Sequence, residues 1–502
     1  MGHARWMAVL AVTVLAALPA RAGEVMLRSH DGSIALTGQL KAFDGNGYVI
    51  DTGVGQIRLD AHLVRCEGAD CPPPEALRQR LRAGGPPGLI RGLLGALVEE
   101  FALVRDLPVL REPVDRLTTR LSLGRRDALH LELVAAGIGD AAAVEELSRG
   151  DAAIALSTRP PAPGASAQVV ALDALAVAVA PENPVGIITI ADLVGALSGR
   201  ITDWAALGGP PGPVRLYLAA PGGGARESLE RLLLAPNGVG LSGQVRLLAD
   251  DAAVADAVAA DPQGLGVVGS AFLGNARALA LRGECGILWR PDPFAVKAEE
   301  YPLTRRIHLL ADREALPPDG RRLVDFALSD AAQPVIADAG FVDLSIMRRR
   351  LDAEGMRLAQ LLLAPETAGP AAERRALAEM LLGAERLSVT FRFAPGSDRL
   401  DGRGMADIRR LADLLASPEL AGREALLIGF TDSLGQAALN RALSLRLAET
   451  VRAALLATAP GQAGQVSLSA LGLGELSPLG CEETPEGRRV NRRVEVWLRD
   501  PR

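Results

Sequence analysis

The residues of this chain that could carry chemistry form binding patterns and no catalytic one. Its five histidines lack the spacing of a zinc or metalloprotease site: they are His3, His30, His62, His130 and His308. Neither a GxSxG motif nor a Walker sequence occurs. The run Gly264-Leu-Gly266-Val-Val-Gly269 matches GxGxxG but follows the turn residues Asp261-Pro262, so we predict a strand there and no dinucleotide site. The sequence therefore predicts no enzyme, no cofactor and no metal site.

A specific polar pattern lies in the last quarter of the chain. Its parts, in chain order, are Phe391-Arg-Phe393, Gly429-Phe-Thr431-Asp432, Gly435, Asn440, Leu443-Ser444, Ala448, Gly474-Glu475, Pro478 and Asn491-Arg492-Arg493-Val494-Glu495. Leucine or valine recurs every fourth residue at 439, 443, 447, 451 and 455, which predicts an amphipathic helix directly after Thr431-Asp432. The loop and the helix would then form two walls of one pocket.

This pattern resembles the OmpA/Pal peptidoglycan-binding domain over about residues 388 to 498. The resemblance implies a stem peptide as ligand, whose diaminopimelate offers an amine and a carboxylate, so the site needs a carboxylate and a cation. Asp432 matches the carboxylate of the family. The predicted peptidoglycan-binding residues are Thr431, Asp432, Asn440, Arg446 and Arg493.

One position departs from the family pattern. Leu447 stands where the family has an arginine, and Arg446 precedes it, about 100° away around the helix. Arg446, Arg488 and Arg493 are the candidate substitutes for the missing cation, and we expect Leu447→Arg to strengthen peptidoglycan binding.

A second pattern covers about residues 78 to 345, where helices alternate with β-rich runs and predict an α/β sheet region. Its parts are Gly84-Gly85-Pro86, Ala155 to Pro160, Leu172-Asp173, Asn183-Pro184-Val185, Leu197 to Trp204 and Gly222 to Arg226. It is similar, more weakly, to the periplasmic phosphate-binding proteins of ABC transporters, which have two lobes. The resemblance implies an anion in the interlobe cleft, held by hydroxyls and by backbone amides at helix N-termini.

This chain keeps only part of that implied anion site. Two segments that carry hydroxyl groups in the family lack them here: one contains Pro86, and the other reads Gly223-Gly224-Ala225. We therefore expect this chain to bind an anion more weakly than a full phosphate site does. The predicted ligand-binding residues are Gly85, Ser157, Arg159, Gly223, Gly224, Ala225 and Arg226.

The N-terminus and the cysteines indicate an oxidising compartment. Arg5, the apolar run Met7 to Leu18 and Ala20-Arg21-Ala22 are typical of a secretory signal with its cleavage site. Cys66 and Cys71 bracket a short loop, so we predict a disulfide. Zinc is the alternative, but it would need two more ligands nearby, and only His62 is close. Cys285 and Cys481 are either free thiols or a link between two domains.

The predicted fold is multidomain, α/β and α+β. We assign residues 1–22 to the signal peptide, 23–75 to a small β module and 76–346 to a bilobal solute-binding-like α/β domain. Residues 347–385 are predicted to form a helical linker, and residues 386–502 an OmpA-like βαβαβ domain. Hairpin signals such as Asp31-Gly32 support the β module.

Composition narrows the function. Aromatic residues make up 3 % of the chain, and 54 Lys and Arg face 60 Asp and Glu, which disfavours nucleic-acid binding. We therefore predict a periplasmic protein, associated with the cell wall or outer membrane, that captures or senses a small phosphate-like anion while anchored to peptidoglycan. The alternative is a scaffold whose bilobal domain has lost its ligand. The sequence leaves an ABC permease partner open.

Overall fold

A computed structural model of the chain describes residues 24–29, 32–43, 47–61, 63–73, 78–125, 128–162, 165–351, 355–363, 370–394, 396–458 and 466–501. The predicted signal peptide lies outside these residues. The chain divides into two compact units. Among the described residues, one unit lies within 1–79 and 124–131, and the other lies within 80–123 and 132–502.

The first unit contains an antiparallel sheet of five strands in the order β4-β3-β2-β1-β5. The strands are β1 Glu24–Ser29, β2 Ala35–Phe43, β3 Gly47–Thr52, β4 Gly55–Asp60 and β5 Val64–Glu67. Alternating residues of β1 and β3 turn inward, so Leu27 and Ile50 are buried on the same face. The predicted disulfide between Cys66 and Cys71 is confirmed, and it closes the end of β5.

The bilobal region belongs to the second unit, except for Gln79 and the described residues of 124–131. Its strands are β6 Gln79–Gly85, β7 Val109–Pro113, β8 Thr118–Arg125, β9 Ala128–Gly137, β10 Ile154–Ser157, β11 Ala167–Val179, β12 Ile187–Thr189, β13 Arg215–Ala219, β14 Arg246–Leu248, β15 Gly264–Gly269, β16 Arg277–Ala278, β17 Ala280–Arg282, β18 Leu288–Trp289 and β19 Thr304–Ala311. Its helices are α1 Gly95–Val104, α2 Asp140–Arg149, α3 Ile190–Leu197, α4 Ala225–Leu229, α5 Asp251–Ala259, α6 Pro293–Lys297, α7 Pro318–Ala327 and α8 Gln333–Asp338, and a π-helical turn Leu89–Leu94 leads into α1.

Two long strands carry the chain between the lobes. The main sheet runs in the order β14-β13-β15-β11-β19-β10-β6-β9-β8-β7, so β11 and β19 lie at its centre and belong to both lobes. β11 is an almost continuous run of Ala, Leu and Val, and residues 170–180 are buried, as expected for a strand covered on both faces. β15 is the Gly264–Gly269 run, so the strand predicted there is confirmed.

The C-terminal region closes on a second five-stranded sheet in the order β20-β21-β24-β22-β23. Its strands are β20 Arg348–Arg350, β21 Glu385–Arg392, β22 Glu424–Phe430, β23 Ser467–Gly472 and β24 Arg493–Arg499, and its helices are α9 Gly355–Leu363, α10 Ala371–Leu381, α11 Gly402–Leu415, α12 Ala437–Thr458 and α13 Pro485–Asn491. The helix predicted after Thr431-Asp432 is α12. Its residues Leu447, Val451 and Leu455 are buried, whereas Leu439 faces solvent.

The residues predicted to be a helical linker pack against this same sheet. α9 and α10 contribute Leu361, Leu377 and Leu381 to a core that also contains Phe430 and Trp497. β20 pairs with β21 through Arg348 to Arg350. The segment therefore covers one face of the C-terminal sheet, and α11 and α12 cover the other.

A disulfide links the bilobal and C-terminal regions. Cys285, beyond β17, is bonded to Cys481, 196 residues later, and the Trp289 indole N–H donates to the Leu479 carbonyl at 3.0 Å beside it. The alternative of a link between two domains, left open by the sequence, is therefore the observed one.

Both disulfides are open to direct chemical test. We expect non-reducing peptide mapping of the exported protein to give one linked pair for Cys66 and Cys71 and another for Cys285 and Cys481. Alkylation of any of the four cysteines without prior reduction would contradict the pairing. A Cys285→Ser, Cys481→Ser double variant serves as the control, because it should retain only the first pair.

Among the described residues, no helix has the length and hydropathy that crossing a membrane requires.

Cys285, Cys481 and Glu483 lie close enough to share a metal ion, but both sulfurs belong to the disulfide and offer no thiolate.

Candidate functional site

The predicted peptidoglycan-binding loop lies where β22 ends and α12 begins. Gly429 allows this arrangement, because a Cβ there would overlap the backbone of Ser444 in α12. The Ser444 hydroxyl accepts the Gly474 N–H at 2.9 Å, and the Thr431 N–H donates to the Gly474 carbonyl at 2.8 Å. Strand, loop and helix are thereby tied together around the Thr431-Asp432 pair.

Asp432 is buried and has three neighbours in this loop. One carboxylate oxygen accepts the Leu434 N–H at 3.2 Å, and the other forms an ion pair with Arg492. The Asn440 side-chain amide donates to the Asp432 carbonyl at 3.3 Å. The structure thus brings Thr431, Asp432 and Asn440 together, as the sequence predicted. The Thr431 hydroxyl is buried and has no hydrogen-bond partner among the described residues.

Two further carboxylates make this loop acidic. Glu482 accepts the Ser433 N–H at 3.2 Å and the Asn491 amide at 2.5 Å. Burial, followed by the charges of Glu482 and Asp432, raises the pKa of Glu475. A ligand ammonium group would relieve this concentration of negative charge.

The predicted cations lie elsewhere in the domain. Arg446 is exposed on α12, and no hydrogen bond or ion pair joins it to Asp432 among the described residues. Arg493 is fully buried, donates to Glu495 at 2.6 Å and to the Ser477 carbonyl at 2.8 Å, and covers the Phe430 ring. The cation at Asp432 is Arg492, which the sequence reasoning missed although it stands beside Arg493 in the same motif.

The second candidate site is the cleft between the two lobes, where the predicted loop of Gly223, Gly224 and Ala225 lies against Pro86, the residue after the predicted Gly85. Gly224 has a φ of +75°, and a Cβ there would lie 2.9 Å from the Pro86 side chain. A Cβ at Gly139 would lie 3.1 Å from the Gly222 backbone. The Gly222 to Ala225 loop of one lobe therefore touches the loops that follow β6 and β9 in the other.

Two of the other predicted anion ligands, Ser157 and Arg226, have protein partners. The Ser157 hydroxyl accepts the Arg159 N–H at 3.1 Å, and Arg159 itself is exposed. Arg226 forms an ion pair with Glu230 at 2.9 Å through its Nε atom, while its buried Nη1 atom has no hydrogen-bond partner among the described residues. None of Ser157, Arg159 and Arg226 is among the residues that line the small cavity between the lobes.

Carboxylates occupy the same part of the cleft. Asp140 accepts both the N–H and the hydroxyl of Thr158 at 2.6 Å, and the Thr158 and Ser228 hydroxyls are 3.0 Å apart across the lobes. Burial, followed by the charge of Asp140, raises the pKa of Glu227, which shares a hydrogen bond with Asp140. The sequence reasoning did not consider Asp140 or Glu227, because neither stands in the quoted motifs as an anion ligand.

A small cavity of about 50 Å³ remains between the lobes. Its lining includes Pro86, Gly223, Asp251, Phe272 and Arg305. Arg305 forms a buried ion pair with Asp173 at 2.7 Å, and its Nη1 atom has no hydrogen-bond partner among the described residues. Of the residues predicted to bind the anion, Gly223 lines this cavity, and Arg305 is the cation that the sequence reasoning missed.

Two family models match the chain. A model of the OmpA family covers residues 392–492, and a model described as a PBP superfamily domain covers residues 127–332. Both predicted resemblances are thereby confirmed at the level of family and fold.

The curated relatives align with the C-terminal region. Outer membrane porin F of Pseudomonas aeruginosa is 34 % identical over 111 residues, which is 22 % of this chain and 31 % of the porin. The peptidoglycan-binding protein ArfA of Mycobacterium bovis is 38 % identical over 90 residues, 18 % of this chain and 26 % of ArfA. YfiB of Escherichia coli is 34 % identical over 118 residues, 23 % of this chain and 69 % of YfiB. The chain thus spans a third or less of the length of porin F and ArfA.

Among solved structures, an ABC-type phosphate transport receptor from Vibrio cholerae is similar to this chain with a TM-score of 0.41. It is 19 % identical, and the match covers 52 % of this chain and 99 % of the receptor.

Proposed function

We propose, from the premise that the chain belongs to the OmpA family through residues 392–492, that it is a periplasmic binding protein held to peptidoglycan by its C-terminal domain. The bilobal domain captures or senses a small ligand that carries an anionic group. Both matched families are binding or structural families, in agreement with a non-enzymatic role.

The Asp432 loop is the observation that carries the tether. Its carboxylate stands at the end of β22 with Asn440 and the unpartnered Thr431 hydroxyl beside it, in a loop made acidic by Glu475 and Glu482. Such a loop suits the ammonium group of a stem peptide, because a carboxylate in a partly desolvated site binds a cation through charge-assisted hydrogen bonds.

Contacts between the C-terminal and bilobal domains would keep the bilobal region attached to the anchored domain. Arg392 donates to the backbone carbonyls of Ala298 and Glu299 at 2.7 and 3.0 Å, and Arg386 forms an ion pair with Glu300. With the Cys285–Cys481 disulfide, these contacts hold the two regions as one body. A protein anchored in this way is better suited to sensing or scaffolding at the wall than to shuttling solute.

Arg305 supports the capture of an anionic group. Its guanidinium is buried, and its free Nη1 atom belongs to a residue that lines the interlobe cavity beside Gly223. A buried guanidinium donor without a partner gains a charge-assisted hydrogen bond when an anion arrives.

A specific observation favours the scaffold as the second candidate function. Arg91 and Asp250, which both line the cavity, form an ion pair at 2.5 Å, and Thr158 contacts Ser228 directly. These two contacts join the lobes directly. A bilobal domain closed in this way could present a surface to a protein partner without a ligand.

The tether is tested by co-sedimentation of the full chain with purified peptidoglycan. We expect the wild-type protein to sediment, and we expect Asp432→Ala and the size-preserving Asp432→Asn to lose at least about tenfold in affinity, since a hydrogen bond to a charged group contributes about 1.5–3 kcal/mol. Asp413→Ala is the matched control, because this aspartate is exposed in the same domain. Wild-type protein that stays in the supernatant, or an Asp432→Asn variant that sediments like wild type, would refute the tether.

A further inference from the structure

Three charged side chains converge at the floor of the interlobe cavity. A Cβ placed on Gly269 would lie 2.6 Å from Asp173 Oδ2, 2.8 Å from Arg305 Nη2 and 3.4 Å from Asp251 Oδ2, so these atoms surround one point at the end of β15. Arg305 donates twice to Asp173, at 2.7 and 3.0 Å, and the Gly269 N–H donates to Asp251 at 3.1 Å. Glycine at 269 is what allows the three to approach each other.

Two atoms of this cluster lack partners among the described residues. They are Nη1 of Arg305, a donor, and Oδ1 of Asp251, an acceptor. The Arg305 side chain is 2 % exposed, Asp251 is 5 % exposed, and both residues line the same cavity. Buried polar atoms are nearly always hydrogen-bonded in proteins, so this cavity is complementary to a bound molecule that accepts a hydrogen bond from Arg305 and donates one to Asp251.

The balance of charge distinguishes between classes of ligand. Asp173 and ionised Asp251 carry two negative charges against the single positive charge of Arg305. A plain anion would add to this excess, whereas a molecule with both an ammonium and a carboxylate would leave it unchanged. Because charges interact strongly in a desolvated site, this difference favours a zwitterion over a plain anion.

The cavity also limits the size of the ligand. Its volume of about 50 Å³ holds roughly three to five water-sized groups, at about 10–15 Å³ each. The smallest amino acid, glycine, has five non-hydrogen atoms and meets this limit.

We propose that the interlobe cavity binds a small zwitterionic amino acid, with its carboxylate on Arg305 Nη1 and its ammonium group on Asp251 Oδ1. This rests on the proposed capture function of the bilobal domain and names its ligand class. The anionic group assigned to Arg305 is then one end of the ligand, and Asp251 recognises the other.

The pH dependence of binding separates a zwitterion from an anion. Burial, opposed in part by the charge of Arg305, raises the pKa of Asp251 to about 7. The other charged groups near it are Asp173 and Asp250, and Asp250 is paired with Arg91. A zwitterion needs Asp251 ionised, so its affinity should rise about tenfold from pH 6 to pH 8, whereas the affinity of a plain anion should fall over the same range.

Isothermal calorimetry of the full chain tests the proposal with five probes: glycine, acetate, methylammonium, phosphate and sulfate. We expect glycine to bind at least tenfold more tightly than each of the other four at pH 8. Asp251→Asn should lose at least tenfold in glycine affinity and bind acetate no more weakly than wild type does. Asp256→Asn, an exposed position on the same helix, is the matched control and should change neither affinity.

Each remaining outcome counts against the proposal. Phosphate or acetate bound as tightly as glycine, or a glycine affinity that does not rise from pH 6 to pH 8, refutes the zwitterion while leaving anion capture in place. The pH profile needs only wild-type protein, so it stays valid if Asp251→Asn does not fold. Failure of all five probes to bind would refute both the zwitterion and ligand capture, and the domain would then be a scaffold.

Discussion

Glu495→Gln is expected to lower the free energy of unfolding by about 3–5 kcal/mol, because it would leave three guanidinium groups without their central counter-charge. Glu495 is fully buried and accepts from Arg357 at 2.6 and 2.8 Å, from Arg493 at 2.6 Å and from the Trp497 indole at 3.0 Å. Arg386 approaches it at 3.4 Å. Denaturant unfolding followed by circular dichroism measures the loss.

The control for this prediction is Glu486→Gln. Glu486 pairs with Arg489 on the surface of α13 at 2.5 Å with more than half of its side chain exposed, and such pairs contribute about 0–1 kcal/mol. If Glu495→Gln were as stable as Glu486→Gln, the stability of the arginine cluster would not depend on the Glu495 carboxylate.

The buried cluster around Glu495 also determines how the stability of the protein changes with pH. Burial alone would raise the pKa of Glu495, but the charges of Arg357, Arg386 and Arg493 hold this pKa well below its usual value. A carboxylate with a lowered pKa stabilises the folded state at neutral pH, and this contribution is lost as the pH falls from the ordinary glutamate value toward the lowered one. The wild-type protein should therefore lose stability in this acidic range, and Glu495→Gln should lose less.

Leu447→Arg is expected to destabilise the C-terminal domain by about 3–5 kcal/mol or more and to add nothing to peptidoglycan binding. This reverses the sequence-based expectation of stronger binding. Leu447 is 2 % exposed and packs in the core between α12, α11 and the sheet, with Ile408, Val451 and Val494. An arginine there would bury a charge that has no carboxylate to pair with.

The neighbouring residue supplies the control for Leu447→Arg. Arg446→Leu changes an exposed side chain on the same helix, so its stability should stay within about 0.5 kcal/mol of wild type. Unfolding and co-sedimentation are measured on both variants. A Leu447→Arg protein as stable as wild type that sediments more strongly would mean that α12 presents residue 447 to the ligand.

Much of the fold could be predicted because it depends on neighbours along the chain. The period of four between residues 443 and 455 predicts α12, the apolar Gly264–Gly269 run predicts β15, and five residues separate Cys66 from Cys71. Each of these signals is complete within one element or one loop. The position of Asp432 could be predicted for the same reason, since Thr431, Asp432 and Asn440 lie on one loop and the first turn of the next helix.

The features that could not be predicted join residues that are distant in sequence. Whether Cys285 meets Cys481 depends on how two domains pack. Arg492 and Arg493 point to opposite sides at the start of β24, so one reaches Asp432 and the other enters the core with Glu495. The sequence pattern alone does not say which arginine does which.

Helix periodicity placed Leu447 on the apolar face of α12, whereas the resemblance placed it on the side that faces the ligand. Asp173, Asp251 and Arg305 come from three elements. They form one cluster only because β11, β15 and β19 lie side by side and α5 begins next to Gly269. Electrostatics in a buried site depends on distances of a few ångströms between such residues, and those distances are a property of the packed chain.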